Sequence, residues 1–184
     1  MPFSFLTGYL LDDESEIEIY DWDRDIANWR QIQEGPTGKS FISEFIDPIE
    51  AVEEVVVAVS VSYPVDSSAI NREFSGIPKI YLTLPNLNRN NHWAKDQVAH
   101  ISGVFFETIK SLLKHQVKVV HLILACQNSV AFRLGQIYDK RNLPELIVYQ
   151  YERSETNKYP WGVFIHDELE QSPSITYKQN KKAA

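Results

Sequence analysis

The residues Cys126-Gln127-Asn128-Ser129 end the apolar run His121 to Ala125 and open a stretch of helical periodicity. The start of a helix offers free backbone N–H groups and the positive end of the helix dipole, which together suit a phosphate. Gln127, Asn128 and Ser129 add hydrogen-bonding side chains there, and Arg133 follows one turn on with a positive charge. Asn128 or Ser129 fits the plain role of N-cap equally well. Two other segments end apolar runs in the same way: Ser60-Val61-Ser62-Tyr63, and the asparagine-rich stretch from Pro85 through Trp93, which includes Asn86. Tyr63 and Trp93 are flat enough to stack on a nucleobase, a contact worth about 1–3 kcal/mol, and core packing would use them equally. Ser60, Ser62 and Asn86 complete the polar set.

Other chemistry is less well served. Gly35-Pro36-Thr37-Gly38-Lys39-Ser40 imitates a phosphate-binding loop, but the first glycine of that motif would fall on Gln33. Cys126 at a strand end resembles the nucleophile of a caspase-like protease, for which His92 is the nearest loop histidine; a buried, inert thiol is the simpler role. The histidines at 92, 100, 115, 121 and 166 form no pair on one helical face with an acidic third ligand, so no metal site is expected, and no cofactor. His121, inside an apolar strand, reads as a satisfied core residue. The acids between Asp12 and Asp25 read as a solvated face. Arg24, Arg89 and Arg153 are surface charges of which one can reach a phosphate bidentately.

The elements that position the three loops follow from periodicity. Val55 to Ser62 is β-branched and almost wholly apolar, as in a strand buried on both faces of a parallel sheet. A short helix is expected over 65–75, a strand over 79–84 and a long helix over 93–115, whose stripe is Val98, Ile101, Phe105, Ile109, Leu112 and Leu113. Residues 117–126 form a third apolar strand, 128–141 a helix stopped by Leu143-Pro144, and 145–152 and 161–166 two more strands. Strands alternating with helices predict a mostly parallel, Rossmann-like α/β sheet flanked by helices, closed by a C-terminal antiparallel hairpin. Ligands of such sheets bind beyond the carboxyl ends of the strands, where the three loops fall.

The N-terminal part is less regular. Residues 16–22 alternate as a short strand, and 25–33 carry Ile26, Trp29 and Ile32 at helical spacing. The chain divides into an acidic lead-in over 1–50, a core over 51–170 and a frayed polar tail over 171–184.

With 184 residues, a net charge of −7 and one cysteine, the chain is long enough for a full core and has no intrachain disulfide. The acidic balance argues against binding along a long nucleic acid, though not against a small anion. No apolar run approaches the roughly 20 residues of a membrane span, and the first residues lack a basic start, so the cytoplasm is the expected location.

Three stretches carry a family likeness: His121 to Gly135, Leu143 to Glu152, and Tyr159-Pro-Trp-Gly-Val163. They resemble the C-terminal part of SAVED domains; Val55 to Ser62 resembles an earlier strand, and Ile17-Glu-Ile-Tyr-Asp-Trp22 the lead-in. SAVED domains resemble two fused CARF-like, Rossmann-type units and sense cyclic oligonucleotides in CBASS and type III CRISPR antiviral signalling. The resemblance implies a cyclic tri- or tetra-adenylate ligand across the strand-end loops and an effector supplied elsewhere. It also implies signalling by ligand-driven oligomerisation, and only a partial first CARF-like unit within 1–50. A binding-incompetent interaction subunit and a Cys126 protease are the alternatives.

Overall fold

The computed structural model describes residues 1–12, 17–33, 35, 42–46, 52–139, 141–165 and 173–177. The elements in chain order are α1 (Pro2–Leu11), β1 (Tyr20–Asp23), β2 (Asn28–Gln31), β3 (Ile42–Ile46), β4 (Glu54–Ser60) and α2 (Ser67–Glu73). There follow β5 (Lys79–Thr83), α3 (Lys95–Leu112) with a 3-10 turn at Leu113–His115, β6 (Val119–Ala125), α4 (Asn128–Gln136), β7 (Glu145–Gln150), β8 (Trp161–Ile165) and β9 (Ser174–Tyr177).

The protein is a mixed α/β fold. Its main sheet runs β3-β5-β4-β6-β7-β8-β9. The middle four strands are parallel, with Val57 opposite Ile80 on one side and Leu122 on the other. β8 is antiparallel to β7, β9 to β8, and β3 to β5. Val55 to Val59 are fully buried, as the unbroken β-branched run demands of a central strand. Side chains alternate between two clusters. Val55, Val57 and Val59 pack with Ile101, Phe105 and Leu134 of α3 and α4, whereas Val56 and Ala58 meet Ile70 and Phe74 on the α2 side. His121 is a satisfied core residue: Nδ1 lies 3.1 Å from Tyr149 Oη and Nε2 3.0 Å from Glu54 Oε2.

From β4 the chain passes through α2 to β5 on one side, then through α3 to β6 on the other. The strand order therefore reverses beside β4. The carboxyl ends of β4 and β6 meet there, where Val61 N and Ser62 N both donate to Ala125 O at 3.1 Å. Such a reversal leaves a crevice outside the sheet.

Several expectations are corrected. Asp25 to Gln33 is no helix: β1 and β2 form an antiparallel hairpin with Trp22 opposite Trp29. The Ile26, Trp29, Ile32 spacing is accidental, because Ile26 and Trp29 are 61% and 63% exposed and have no core to face. The Asp25 amide donates to Asp23 Oδ1 in the intervening turn, and Ala27 takes φ 50. The strand expected over 16–22 begins at Tyr20, and residues 13–16 lie outside the described residues. Ser174–Tyr177 pairs with β8 where the sequence reads as tail. α1 and β3 are unforeseen. α1 is mostly apolar, starts with Pro2 at its first turn and packs on α4. α4 ends at Gln136 rather than near 141, its N-cap is Gln127, and neither Asn128 nor Ser129 caps it. Pro36 to Ser40, of the phosphate-loop imitation, lie outside the described residues.

Among the described residues no helix is long and apolar enough to cross a membrane. No three His, Cys, Asp or Glu side chains among them come together as a metal site.

Candidate ligand site at the strand ends

A cleft of about 780 Å³ opens at the carboxyl ends of β4, β6 and β7. Its size falls within the roughly 300–1,000 Å³ of small-molecule sites. Tyr63 and Val65 come from the end of β4, Ala125 to Asn128 from the β6–α4 junction, and Gln150 and Tyr151 from β7. Arg89, Asn90, His92 and Trp93 come from the loop before α3, and Asp21, Trp22 and Arg24 from the hairpin.

Four residues picked from the sequence line this cleft: Tyr63, Trp93, Gln127 and Asn128. Tyr63 is half exposed and free to stack. Trp93 is already engaged, with the Arg30 guanidinium 4.7 Å above its ring and its Nε1 donating to Asn90 Oδ1 at 3.1 Å. Gln127 Nε2 donates to Arg89 O at 3.1 Å, and Asn128 Oδ1 accepts from Ser4 Oγ at 3.0 Å.

The other five sit elsewhere. Ser60, Ser62 and Ser129 are buried at 2–3% exposure, beneath the surface of the cleft. Ser60 Oγ accepts from Val65 N at 3.3 Å and so shapes the turn after β4. Asn86 lies in a left-handed turn, φ 57, away from the cleft lining. Arg133 lines a second cavity of about 700 Å³ beside α3 and donates to Gln136 Oε1 at 2.7 Å. Its displacement is helical geometry: five residues beyond Asn128 is about 140° round an α-helix.

The amide end of α4 is occupied from within the chain. Ser129 N donates to Asp21 Oδ2 at 3.4 Å, and His92 Nε2 stands 3.5 Å from the same oxygen. Asp21 and Asp23 are therefore not part of a solvated face; Asp23 is 4% exposed and pairs with Arg30 at 3.1 Å. Burial lowers the His92 pKa below its ordinary value, against the raising pull of Asp21 and a backbone group of Arg89, so the ring favours its neutral form. Burial also pushes the Cys126 thiol up to about 12, which keeps it protonated at neutral pH.

Arg24 and Arg89 both reach the cleft lining. Arg89 pairs with Asp25, which shares its carboxylate with Asn90 Nδ2 at 3.2 Å. Sequence reasoning named both arginines without placing them. It missed Asp21, Trp22, Gln150, Tyr151 and Tyr159 as lining residues. The alternation of residues 17–22 was the available signal for the hairpin that delivers the first two.

The model of the SAVED family, the SMODS-associated and fused to various effectors sensor domain, matches residues 1–165. The chain belongs to the SAVED family. Similar solved structures are SAVED/CARF-domain containing receptors. One is Acinetobacter baumannii Cap4 with the cyclic trinucleotide 3'3'3'-cAAA, at 12% identity and a TM-score of 0.62, covering 85% of this chain and 34% of that one. The same receptor with 2'3'3'-cAAA gives 12% identity and 0.61, with the same shares. Moraxella osloensis Cap4 gives 12% identity and 0.53, covering 84% of this chain and 33% of that one. At these identities the likeness is one of fold, and this SAVED chain spans about a third of the length of those receptors. No curated protein sequence matches it.

Proposed function

We propose that this SAVED chain is a receptor for a cyclic oligonucleotide of the tri- or tetra-adenylate kind, acting in prokaryotic antiviral defence with no chemistry of its own. Its parallel strands β5-β4-β6-β7 are read as a Rossmann-type, CARF-like sheet. Residues of the 1–50 lead-in serve the 51–170 core, since Asp21, Trp22 and Arg24 line its cleft. In this view ligand binding drives assembly with an effector supplied by another chain or domain, in the cytoplasm.

One observation carries the proposal. The cleft stands where the strand order reverses and joins flat faces for bases, Tyr63, Trp22 and Tyr151, to cations for phosphates, Arg24 and Arg89. Solved receptors of the same fold hold cyclic trinucleotides. The test is a panel of cyclic di-, tri- and tetranucleotides read by thermal melting and calorimetry. Cyclic tri- or tetra-adenylate should raise the melting temperature, and a panel without any shift would end the receptor role.

A second role, an interaction subunit that binds no nucleotide, is favoured by the Asp21 carboxylate at α4 and by exposed Phe3, Leu10, Trp22 and Trp29. An unchanged melt together with self-association or partner capture through those side chains would establish it. Nothing comparable favours the protease, because Cys126 is buried and protonated.

A further inference from the structure

The β1–β2 hairpin wears its polarity inside out. Tyr20, Trp22 and Trp29 are 48–63% exposed, while Asp21 and Asp23 turn toward the body. A half-exposed hairpin ordinarily buries its aromatic face and leaves its acids in water. Here the inward acid Asp21 reaches the Ser129 amide on α4, a position whose dipole and free N–H groups favour an anion.

That position is furnished beyond a bare helix end. Ser129 Oγ is 3% exposed and has no hydrogen-bond partner among the described residues. His92, 2% exposed, lines the same cleft, and its ring nitrogens make no well-formed hydrogen bond. His92 is thus a buried polar side chain beside a carboxylate that satisfies it poorly. The Asp21 contacts, 3.4 Å to the amide and 3.5 Å to the imidazole, are longer than the roughly 2.7–2.9 Å of a charge-assisted hydrogen bond. A phosphodiester, which carries the same single charge on two non-bridging oxygens, presents the same chemistry to this place.

The remaining ties of the hairpin run to the loop before α3. Asp25 meets Arg89 and Asn90, Arg30 lies over Trp93, and Gln33 N donates to Trp93 O at 3.3 Å. Among the described residues, Asp21 makes the hydrogen bond that ties the hairpin to α4. Losing it would leave the hairpin anchored at the loop and free to swing off the helix.

We propose that Asp21 is an internal stand-in for a phosphate group, and that a phosphodiester entering the cleft displaces it from α4 and releases the hairpin. This rests on the cleft being an anion site, as the receptor role requires. The ligand then binds two states with different affinity, which lets it shift their populations. With the hairpin seated, the carboxylate repels the incoming anion; with the hairpin released, the Ser129 amide is open to it.

The test titrates the full chain with inorganic phosphate and, separately, with cyclic tri-adenylate. The Ser129 amide is followed by NMR, and the 20–31 amides by hydrogen exchange. Asp21→Asn should bind inorganic phosphate about tenfold more tightly than the parent, the change expected from about 1.4 kcal/mol. Glu53→Gln, which removes one exposed charge at the opposite end of β4, should leave that affinity unchanged. In the parent chain, saturating ligand should move the Ser129 signal and speed exchange across Tyr20–Asp23 and Asn28–Gln31. An Asp21→Asn affinity within twofold of the parent would overturn the proposal. If that variant does not fold, a Ser129 signal unmoved by ligand in the parent overturns it alone. Tighter phosphate binding by Asp21→Asn with no cyclic nucleotide bound would sink the receptor role and leave the displacement standing. Cyclic tri-adenylate bound with Ser129 and the hairpin undisturbed would do the reverse.

Discussion

Gly8 and Gly135 bring α1 and α4 into backbone contact. A Cβ on Gly8 would lie 1.9 Å from the Phe132 carbonyl oxygen, and one on Gly135 would lie 2.0 Å from that of Phe5. Each glycine is the space into which the other helix's backbone fits. The obstacle is main chain on both sides, so no side chain can move aside to relieve a substitution.

Gly135→Ala should therefore cost about 3 kcal/mol, the upper range of overpacking penalties. Gly103→Ala is the internal comparison, because a Cβ there meets nothing within 4 Å and its residue lies inside α3. That substitution should gain up to about 1 kcal/mol from helix propensity. Urea unfolding of both variants checks the pair; equal stabilities would mean that α1 does not seat on α4 as described.

The pH dependence of stability should carry the mark of His92. Its folded pKa is below its ordinary value of 6.5, so the unfolded chain binds the proton more readily. The stability it contributes is then present above about pH 6.5 and lost as the pH falls through the lower folded value. Asp23 and Asp66, both held below the usual carboxylate range chiefly by backbone hydrogen bonds, add a further loss at more acidic pH with the same sign. His92→Gln should flatten the profile near neutrality and leave the acid limb. Unfolding midpoints measured from pH 4 to 8 decide it, and identical profiles for both proteins would contradict the burial of a neutral imidazole.

Asp66 caps α2 through its side chain, which accepts from Ala69 N at 3.0 Å and from Ser68 Oγ at 2.7 Å. Asp66→Ala should cost about 1 kcal/mol, and Asp66→Asn less, since an amide oxygen still accepts. Denaturation of the two variants gives the order; equal losses would assign the effect to charge rather than capping.

Cys126 should resist alkylation. With its thiol pushed up to about 12 by burial, iodoacetamide at pH 7 should label the folded chain far more slowly than the chain in denaturant. Rapid labelling of the folded form would reopen the thiolate chemistry set aside above.

What the sequence disclosed follows from which elements depend on one another least. Strands β4, β6 and β7 are legible because burial on both faces forces an unbroken apolar run, and α3 because its stripe meets one core. The cleft position follows from strand order alone. The hairpin hid because Trp22 and Trp29 pair across strands while remaining exposed, so neither a helical nor a strand pattern predicts their burial. Asp21 hid inside a run of acids, where only tertiary contact separates a solvated carboxylate from one aimed at a helix. Arg133 was misplaced by counting turns along α4 without counting degrees around it.

The most direct test is calorimetric titration of the intact chain with cyclic tri-adenylate, repeated on Arg89→Ala and Tyr63→Ala. Both side chains line the cleft without belonging to the core. The parent should bind, and each variant should lose at least about fivefold in affinity, the effect of about 1 kcal/mol. Heat of binding absent from the parent, or binding that both substitutions leave untouched, would contradict a nucleotide seated at the carboxyl ends of β4 and β6.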